Sequence, residues 1–319
     1  MIKPKISLLA GAMAAALLAG CSQEETPGVS LSPGEYPLEL SAEGLQDSAM
    51  PEMASAQQSR GTIDNNWNGV STVAVQDGSL VKQYTVSSTG AGATASLTAN
   101  DPIFWQKSTE TKSLKAWSPY RANFPTTWTV NADQSNDANC QASDLIFGQL
   151  NDLAFTDSNN PDKNKIIFYH QTAKVVVNIY YGMGTDATAN AVTQLTIGDA
   201  THGLALSGDF VAPLSTENYG TWTESSSNIG GVKPYYVATN QYMALMIPQS
   251  ISEKRIIAIT LNGYDSPFYY TAPVNAKWES GTQYTYNVTV TATGLSVSSG
   301  TVIKGWGSGT GGEGTVKLP

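Results

Sequence analysis

The sequence has few of the side chains that carry catalytic or metal chemistry. It holds two cysteines, two histidines and a charged fraction of 13%. Two cysteines cannot build a disulfide framework, and His170 and His202 lack the close spacing of a paired-histidine metal site. No Gly-x-Ser-x-Gly nucleophile elbow occurs, although a Ser-His-Asp triad from distant positions stays open. We therefore predict a protein that is not an enzyme, with no catalytic residue, metal or cofactor.

Basic side chains are also scarce. Seventeen lysines and arginines stand against 26 aspartates and glutamates, for a net charge of −9. A negative chain is repelled by phosphates, which argues against a nucleic-acid partner. The three arginines are Arg60, Arg121 and Arg255.

Apolar runs of membrane-spanning length are absent from the sequence. Ile6 to Ala19 is apolar and follows two lysines, but it has the length of a signal-peptide core rather than of a bilayer span. It ends in Leu18-Ala19-Gly20-Cys21, which resembles a bacterial lipobox. We predict a lipoprotein signal peptide over residues 1–20, with Cys21 lipidated and holding the chain at the outer membrane. An ordinary signal peptide with an incidental cysteine is the alternative.

Residues 21–60 form a separate acidic segment in which Arg60 is the first basic residue. Most of the segment has a composition typical of disorder. Within it Tyr36, Leu38 and Leu40 alternate with polar or small residues, which predicts a half-buried strand over residues 36–42. Pro37 favours an edge position for that strand, because proline cannot donate a ladder hydrogen bond.

After Arg60 the sequence reads as a succession of strands. Asp77-Gly78 separates two β-rich runs and predicts a hairpin turn. The stretch from Thr282 to Thr291 alternates, with Tyr284, Tyr286, Val288 and Val290 on one face. No segment shows a sustained helical period, so we predict an all-β fold. Glycines near residues 182–184 interrupt the pattern and suggest two domains, 61–184 and 185–319.

Three features have both a functional and a structural interpretation. His170 and Lys174 lie four residues apart in a strand-like run, and we favour a His bonded to a nearby oxygen over a ligand contact. Cys140 is interpreted as a loop thiol. The seven tryptophans and fifteen tyrosines could stack on sugar rings, but aromatic side chains also fill β-sheet cores.

Several short motifs occur in an order that resembles one known family. They include Leu114-Lys115-Ala116-Trp117-Ser118-Pro119, Ser143-Asp144-Leu145-Ile146, Phe168 to Val175, Trp278 to Tyr286, and Ile303-Lys304-Gly305-Trp306. Together they resemble the Bacteroidales fimbrillins, the Mfa-like subunits of type V pili. Each motif is short, and the ordered set carries the resemblance.

The resemblance implies two tandem transthyretin-like β-sandwich domains and assembly into a surface fimbria. It implies that a trypsin-like protease cuts after an arginine and removes the first strand, whose place a neighbouring subunit then fills. In this sequence the cut falls between Arg60 and Gly61 and releases the strand of Tyr36, Leu38 and Leu40. The implied partners are other pilin subunits, the protease and the outer membrane. The alternative is a surface adhesin, at a pilus tip or free, with a host or glycan ligand.

The C-terminal end departs from the family pattern. Beyond Trp306 the chain is rich in glycine, and only Val316 and Leu318 are apolar. Such a tail would fill an apolar groove poorly. We therefore expect the segment from Leu295 to Ile303 to be the donated strand, unless the chain is a tip or anchor subunit.

Overall fold

The computed structural model describes residues 28–45, 67, 70–88, 94–199, 201, 203–215, 217–291, 294–298, 301–304 and 313–315. The predicted site residues Cys21, Arg60 and Gly61 lie outside the described residues, as does His202. The predictions made for them therefore stay predictions.

The described part of the chain is built almost wholly of strands, which confirms the predicted all-β class. It contains one α-helix, α1 (Asp137–Ser143), and a 3-10 turn at Phe155–Asp157. In chain order the strands are β1 Leu40–Gly44, β2 Thr72–Asp77, β3 Leu80–Ser87, β4 Ala95–Thr98, β5 Thr111–Ser118, β6 Thr127–Thr129, β7 Ile146–Ala154, β8 Lys165–His170, β9 Ala173–Tyr181, β10 Val192–Ile197, β11 Leu204–Ala205, β12 Ser207–Val211, β13 Thr221–Glu224, β14 Ile229–Gly230, β15 Tyr235–Ala238, β16 Gln241–Met246, β17 Gln249–Ser250, β18 Arg255–Leu261, β19 Phe268–Thr271, β20 Lys277–Trp278, β21 Thr282–Thr291, β22 Gly294–Ser298, β23 Thr301–Lys304 and β24 Glu313–Thr315.

The helix α1 corrects one prediction. Cys140 was expected in a loop, but it lies on α1 and is fully buried, with its Sγ 3.8 Å from Oε1 of Gln134. The helix begins because the side chain of Asn136 accepts a hydrogen bond from the backbone N–H of Asn139 at 2.9 Å. Seven residues are too few to show a hydrophobic period, so the sequence pattern did not predict this helix.

The first half of the chain forms a seven-stranded sheet that closes on itself, in the order β1-β4-β3-β2-β5-β7-β8. The predicted hairpin is confirmed, since β2 and β3 pair from Thr72 and Thr85 to Asp77 and Leu80. Gly78 in the turn has a φ of +57°, a conformation that favours glycine. Alternate side chains of these strands point inward and form a buried cluster that includes Val73, Val75 and Phe168.

The second half is organised around β9. This strand lies between β16, to which it is antiparallel, and β21, to which it is parallel. Their sheet has the order β15-β16-β9-β21-β23-β24, with β22 also paired to β21. The predicted face of β21 is confirmed, because Tyr284, Tyr286, Val288 and Val290 are all buried. Smaller sheets of β10-β18-β19, β13-β12-β6, β11-β14 and β17-β20 complete this half.

The chain passes from the closed sheet to the second sheet through Gln171 and Thr172. Gln171 is buried and tied on several sides. Its backbone N–H donates to the carbonyl oxygen of Leu145 at 2.7 Å, and its Nε2 donates to the carbonyl oxygens of Tyr169 and Asn218 at 3.0 and 3.1 Å. Its Oε1 accepts the N–H of Gly220 at 2.9 Å. The domain boundary placed after residue 184 stays a prediction.

Among the described residues, no helix is both long and apolar enough to cross a bilayer.

Candidate functional site

The predicted removable strand lies within a longer element, residues 28–45, which we call the strap. Its first part runs antiparallel to residues 103–110, which we call the platform. Leu38 N–H donates to the carbonyl oxygen of Ile103 at 2.7 Å, and Trp105 N–H donates to that of Tyr36 at 3.0 Å. Isolated bridges join Ser30 with Lys107 and Pro37 with Phe104. The strap is therefore paired along most of its length, beyond the predicted strand.

The second part of the strap is β1, which closes the seven-stranded sheet. It is antiparallel to β4, with Leu40 opposite Leu97, and parallel to β8, with Gly44 opposite Phe168. A strand paired on both sides is not an edge strand, so the edge position expected from Pro37 is wrong. Pro37 lies three residues ahead of β1, where its lack of an N–H costs no ladder hydrogen bond in the sheet.

The strap contributes apolar side chains to the core of the closed sheet. Leu38 and Leu40 are 1% and 4% exposed, and Ala42 and Leu45 are fully buried. Burial of a leucine side chain stabilises a fold by about 1.5–3 kcal/mol. Much of the free energy that keeps the strap in the closed sheet is therefore hydrophobic.

Tyr36 is more exposed than these side chains. It is 40% exposed, and its ring meets that of Phe155 edge-on at a centroid distance of 5.6 Å. The alternation predicted a single strand over residues 36–42. The regular strand instead begins at Leu40, because the residues before it pair with the platform. Burial of the alternating side chains thus begins at Leu38 rather than at Tyr36.

A buried hydroxyl joins the strap, the platform and the sheet. Oη of Tyr84, on β3, donates to the carbonyl oxygen of Leu38 at 3.2 Å and accepts the N–H of Ile103 at 3.1 Å. The side chain of Tyr84 is fully buried. Burial raises the pKa of Tyr84 to about 12, since the ionised phenolate is disfavoured away from water. The hydroxyl of Tyr84 thus links the carbonyl oxygen of Leu38 to the N–H of Ile103, two groups that do not bond to each other directly.

The buried side chain of Lys112 stabilises the platform through two carboxylates. Nζ of Lys112 lies 2.7 Å from carboxylate oxygens of both Asp77 and Glu110. Oε2 of Glu110 accepts the backbone N–H of Gln106 at 2.6 Å, which fixes the platform to this cluster. Burial lowers the pKa of Lys112, but the two carboxylates outweigh it and raise the pKa above its ordinary value. The platform therefore has supports that do not involve the strap.

The end of the strap has a backbone that few residues tolerate. Gly44 has a φ of +101°, and a Cβ added there would lie 2.5 Å from the carbonyl oxygen of Phe168. Leu45 follows with a φ of +66°, an uncommon conformation for a branched side chain. Its buried side chain holds it there. These two residues end β1 sharply.

His170 is bonded to a nearby oxygen, as the sequence suggested. Its Nδ1 is 2.9 Å from Oδ1 of Asp144, and both side chains are buried. Lys174 is not on the same strand, because the run breaks at Gln171 and Thr172 and places Lys174 on β9. In the described part of the chain, no group of three or more His, Cys, Asp or Glu side chains is placed to hold a metal ion.

The segment expected to be donated lies at one side of β21. β22 pairs with the second half of β21, with Leu295 opposite Val290. β23 pairs with its first half, with Ile303 opposite Gln283. Both strands lie on the side of β21 away from β9 and, in the described part of the chain, pair with the rest of that sheet only through β21. β24 pairs with β23 at the outer end of the sheet.

Residues 59–306 match the sequence profile of a family described as fimbrillin-like. The chain belongs to the fimbrillin-like family. The predicted resemblance is confirmed, and membership supports a pilus subunit or an adhesin at the cell surface. The fimbrillin-like family is one of fimbrial structural proteins rather than enzymes. The strap of this fimbrillin-like chain lies ahead of the matched residues.

Two solved structures are similar to the fimbrillin-like chain. A candidate cell adhesion protein from Bacteroides uniformis superposes with a TM-score of 0.60 at 16% identity, over 86% of this chain and all of that one. A candidate cell adhesion protein from Bacteroides ovatus gives 0.57 at 15% identity, over 83% and 96% of the two chains. At such identities the likeness shows a shared fold. No curated protein sequence matches the chain.

Tyr84 and the Lys112 cluster were not recognised from the sequence of the fimbrillin-like chain. One signal could have found Lys112: in Thr111-Lys112-Ser113-Leu114-Lys115-Ala116 it shares the alternation of Leu114 and Ala116, which are buried. A lysine on a buried face requires a charged partner. Of its two partners, Glu110 is two residues away in sequence and Asp77 is 35 residues away. For Tyr84 the sequence offered no comparable signal.

Proposed function

We propose that the chain is a structural subunit of a surface pilus that polymerises after its strap is removed. One observation carries the proposal: β1 fills the place between β4 and β8 in the closed sheet. Taking β1 away leaves two facing strand edges and an apolar cleft between them. Such edges accept an added strand through backbone hydrogen bonds, with pockets for its alternate side chains.

Arg60 separates the strap from β2 in the sequence, so a cut between Arg60 and Gly61 frees the strap covalently. The matched family region begins at residue 59, which is consistent with a mature chain that starts near Gly61. The platform keeps its supports from Glu110 and Lys112 after the cut. The cleft would then keep its shape until another strand arrives.

The donated strand would come from a neighbouring subunit, with Leu295 to Ile303 as the proposed donor. Leu295 and Val297 are spaced two residues apart, as Leu38 and Leu40 are. An extended strand therefore points both side chains to one face. Donation would require β22 and β23 to leave β21, to which they pair.

Export as a lipoprotein through Cys21 to the outer membrane belongs to the same proposal. So does the division into two tandem transthyretin-like domains, 61–184 and 185–319. Because the strap and Cys21 both lie ahead of Arg60, the cut would release the lipid and the strap together. A Cys21→Ala chain should fail to incorporate labelled fatty acid and should be lost from the outer membrane. Label retained in that variant would contradict the anchor.

The decisive experiment compares wild type with Arg60→Ala at the cell surface. We expect mass spectrometry to find the wild-type chain beginning at Gly61 and unboiled gels to show a polymer ladder. Arg60→Ala should stay lipidated and monomeric. Arg121→Lys, which keeps a cation over the ring of Trp128, is the matched control and should polymerise normally. Efficient polymerisation of Arg60→Ala would exclude strand removal as the assembly step.

A free or tip adhesin gives a different result in the same experiment. Its wild-type chain would form no ladder, because no neighbouring strand needs to enter it. A trypsin-like protease would be unnecessary, and the chain would stay uncut. The host or glycan ligand expected for an adhesin stays a prediction of the sequence.

A further inference from the structure

A second cleft lies in the second half of the chain, and no residue of the strap lines it. It has a volume of about 950 Å³ and lies between β13 and the small sheet of β17 and β20. Ligand-binding sites are concave and typically about 300–1,000 Å³ in volume. The cleft is therefore large enough to hold several sugar rings.

Three aromatic residues line the cleft: Trp278 is buried, and Tyr219 and Trp222 are packed against neighbouring residues. The indole of Trp222 packs on Phe210 at a centroid distance of 4.8 Å, and its Nε1 donates to Oγ of Ser280 at 3.1 Å. Tyr219 meets Tyr169 edge-on at 5.9 Å and packs against the backbone of Gly281, where a Cβ would lie 2.2 Å from the tyrosine ring. Both rings are half-buried. They form fixed apolar surfaces rather than mobile ones.

Hydroxyl and amide groups surround these rings. Asn275 is exposed at the cleft with a φ of +65°, and its backbone N–H donates to Oγ of Ser252 at 3.0 Å. Ser252 still has its own hydroxyl proton to donate. The hydroxyls of Thr221 and Ser250 also line the cleft. The lining thus combines apolar rings with donors and acceptors, which is the combination that a sugar presents.

The charges of the cleft cancel. Among the described residues that line it, Lys277 and Glu279 carry the only formal charges, and Nζ of Lys277 lies 2.7 Å from Oε1 of Glu279. A balanced pair gives no net attraction for a phosphate, a sulfate or a sialic acid. The lining therefore favours a neutral ligand.

An extended peptide fits the cleft less well. Strand addition would require the outer edge of β13, but β17 already approaches that edge. The N–H of Ser250 donates to Oε2 of Glu224 at 2.8 Å, which closes the cleft at the end of β13. Only Thr221 and Trp222 of β13 line the open part. Two residues are too few for a stable strand pairing.

We propose that this cleft binds a neutral oligosaccharide. Trp222 and Tyr219 would stack on the apolar C–H faces of sugar rings, while Asn275 and Ser252 would bond to sugar hydroxyls. The inference does not depend on strand exchange, because β13, β17 and β20 lie outside the closed sheet. A pilus subunit of any position could carry such a site.

The test uses the full chain, purified in detergent, on an array of oligosaccharides. The neutral probes end in glucose, galactose, mannose or N-acetylglucosamine, and sialylated and sulfated probes provide the charged comparison. The strongest binder is then titrated by calorimetry. We expect a neutral probe to bind best and Trp222→Ala to weaken it by about tenfold or more. Asn275→Gly should weaken it by about threefold to tenfold.

Asn275→Gly is the variant that keeps the test decisive if Trp222→Ala does not fold, because glycine accepts the positive φ. Tyr264→Ala, an exposed tyrosine away from the cleft, should bind like wild type. The proposal is overturned if no neutral probe binds, if charged probes bind better, or if Asn275→Gly binds as tightly as wild type. Competition by a synthetic peptide of residues 294–304 would overturn it as well and would assign the cleft to a strand.

Discussion

The hydroxyl of Tyr84 donates to the carbonyl oxygen of Leu38, so a side chain of the sheet holds the backbone of the strap. The same oxygen accepts the N–H of Ile103 from the platform. Removal of the strap takes away the acceptor of this buried hydroxyl. An incoming strand that places a carbonyl oxygen at the same point would restore the lost acceptor. Water would replace that acceptor poorly, because the site is lined by apolar side chains.

Tyr84→Phe should loosen the strap without disturbing the rest of the sheet. It removes one buried hydroxyl and leaves the carbonyl of Leu38 and the N–H of Ile103 without their bridge, at a cost of about 1–3 kcal/mol. Hydrogen exchange at the amides of Leu38 and Ser41 should become faster. Tyr264→Phe, at an exposed ring, is the control and should change nothing. Unchanged exchange in Tyr84→Phe would show that the bridge contributes little.

The buried and exposed side chains of the strap should differ in their effect on the precursor. Leu40→Ala should lower the free energy of unfolding by about 2–5 kcal/mol, because it leaves a cavity in the core. Tyr36→Ala should cost less than about 1 kcal/mol, since that ring is partly in water. Denaturant unfolding of the uncut chain measures both. Equal losses would contradict the observed burial.

The Lys112 cluster should make the platform sensitive to mutation and to acid. Lys112→Met leaves two neighbouring carboxylates without their cation, at a cost of about 3 kcal/mol, since both carboxylates are partly exposed. Adding Asp77→Asn and Glu110→Gln should recover much of this loss. A triple variant less stable than Lys112→Met would contradict a charge effect.

The acid sensitivity follows from Glu110. Burial raises the pKa of Glu110, but the hydrogen bond from Lys112 and those from the N–H groups of Gln106 and Lys107 outweigh it. The net pKa lies below the ordinary value of 4.5. Its contribution to stability is therefore complete above pH 4.5 and is lost as the pH falls further. Glu110→Gln should abolish this part of the pH dependence of unfolding.

His170 should matter for stability and for nothing else. His170→Ala leaves the buried Asp144 carboxylate short of one hydrogen bond, at a cost of about 1–3 kcal/mol. His170→Asn can donate to the same oxygen and should recover part of it. Thermal unfolding measures both variants. A cell-surface activity that is lost in His170→Ala with unchanged stability would contradict the structural role.

The sequence predicted those features of the site that depend on near neighbours. Alternation identified Leu38 and Leu40 as buried residues of the strap, whereas cleavage after Arg60 stays a prediction. Alternation could not show that pairing changes partner near Glu39, from the platform to β4 and β8, or that Tyr36 stays 40% exposed while Leu38 and Leu40 are buried.

The features that the sequence missed depend on residues far apart in the chain. Tyr84 lies 46 residues from Leu38, and Gln149 on β7 donates to the carbonyl oxygen of Leu214, 65 residues away. No local pattern encodes such pairs. The long run around His170 and Lys174 likewise looked like one strand, because both of its halves are rich in β-forming residues. The run breaks at Gln171 because β8 pairs within the closed sheet and β9 within the second sheet.

The connection through Gln171 also bears on how a filament of these chains would respond to being pulled. Tension applied between the closed sheet and β21 would pass through this connection. Gln171 is held by hydrogen bonds to Leu145, Tyr169, Asn218 and Gly220, which belong to both halves of the chain. A load would have to break several of them before the halves could swing apart. Under such a load the two halves of one chain would therefore move together.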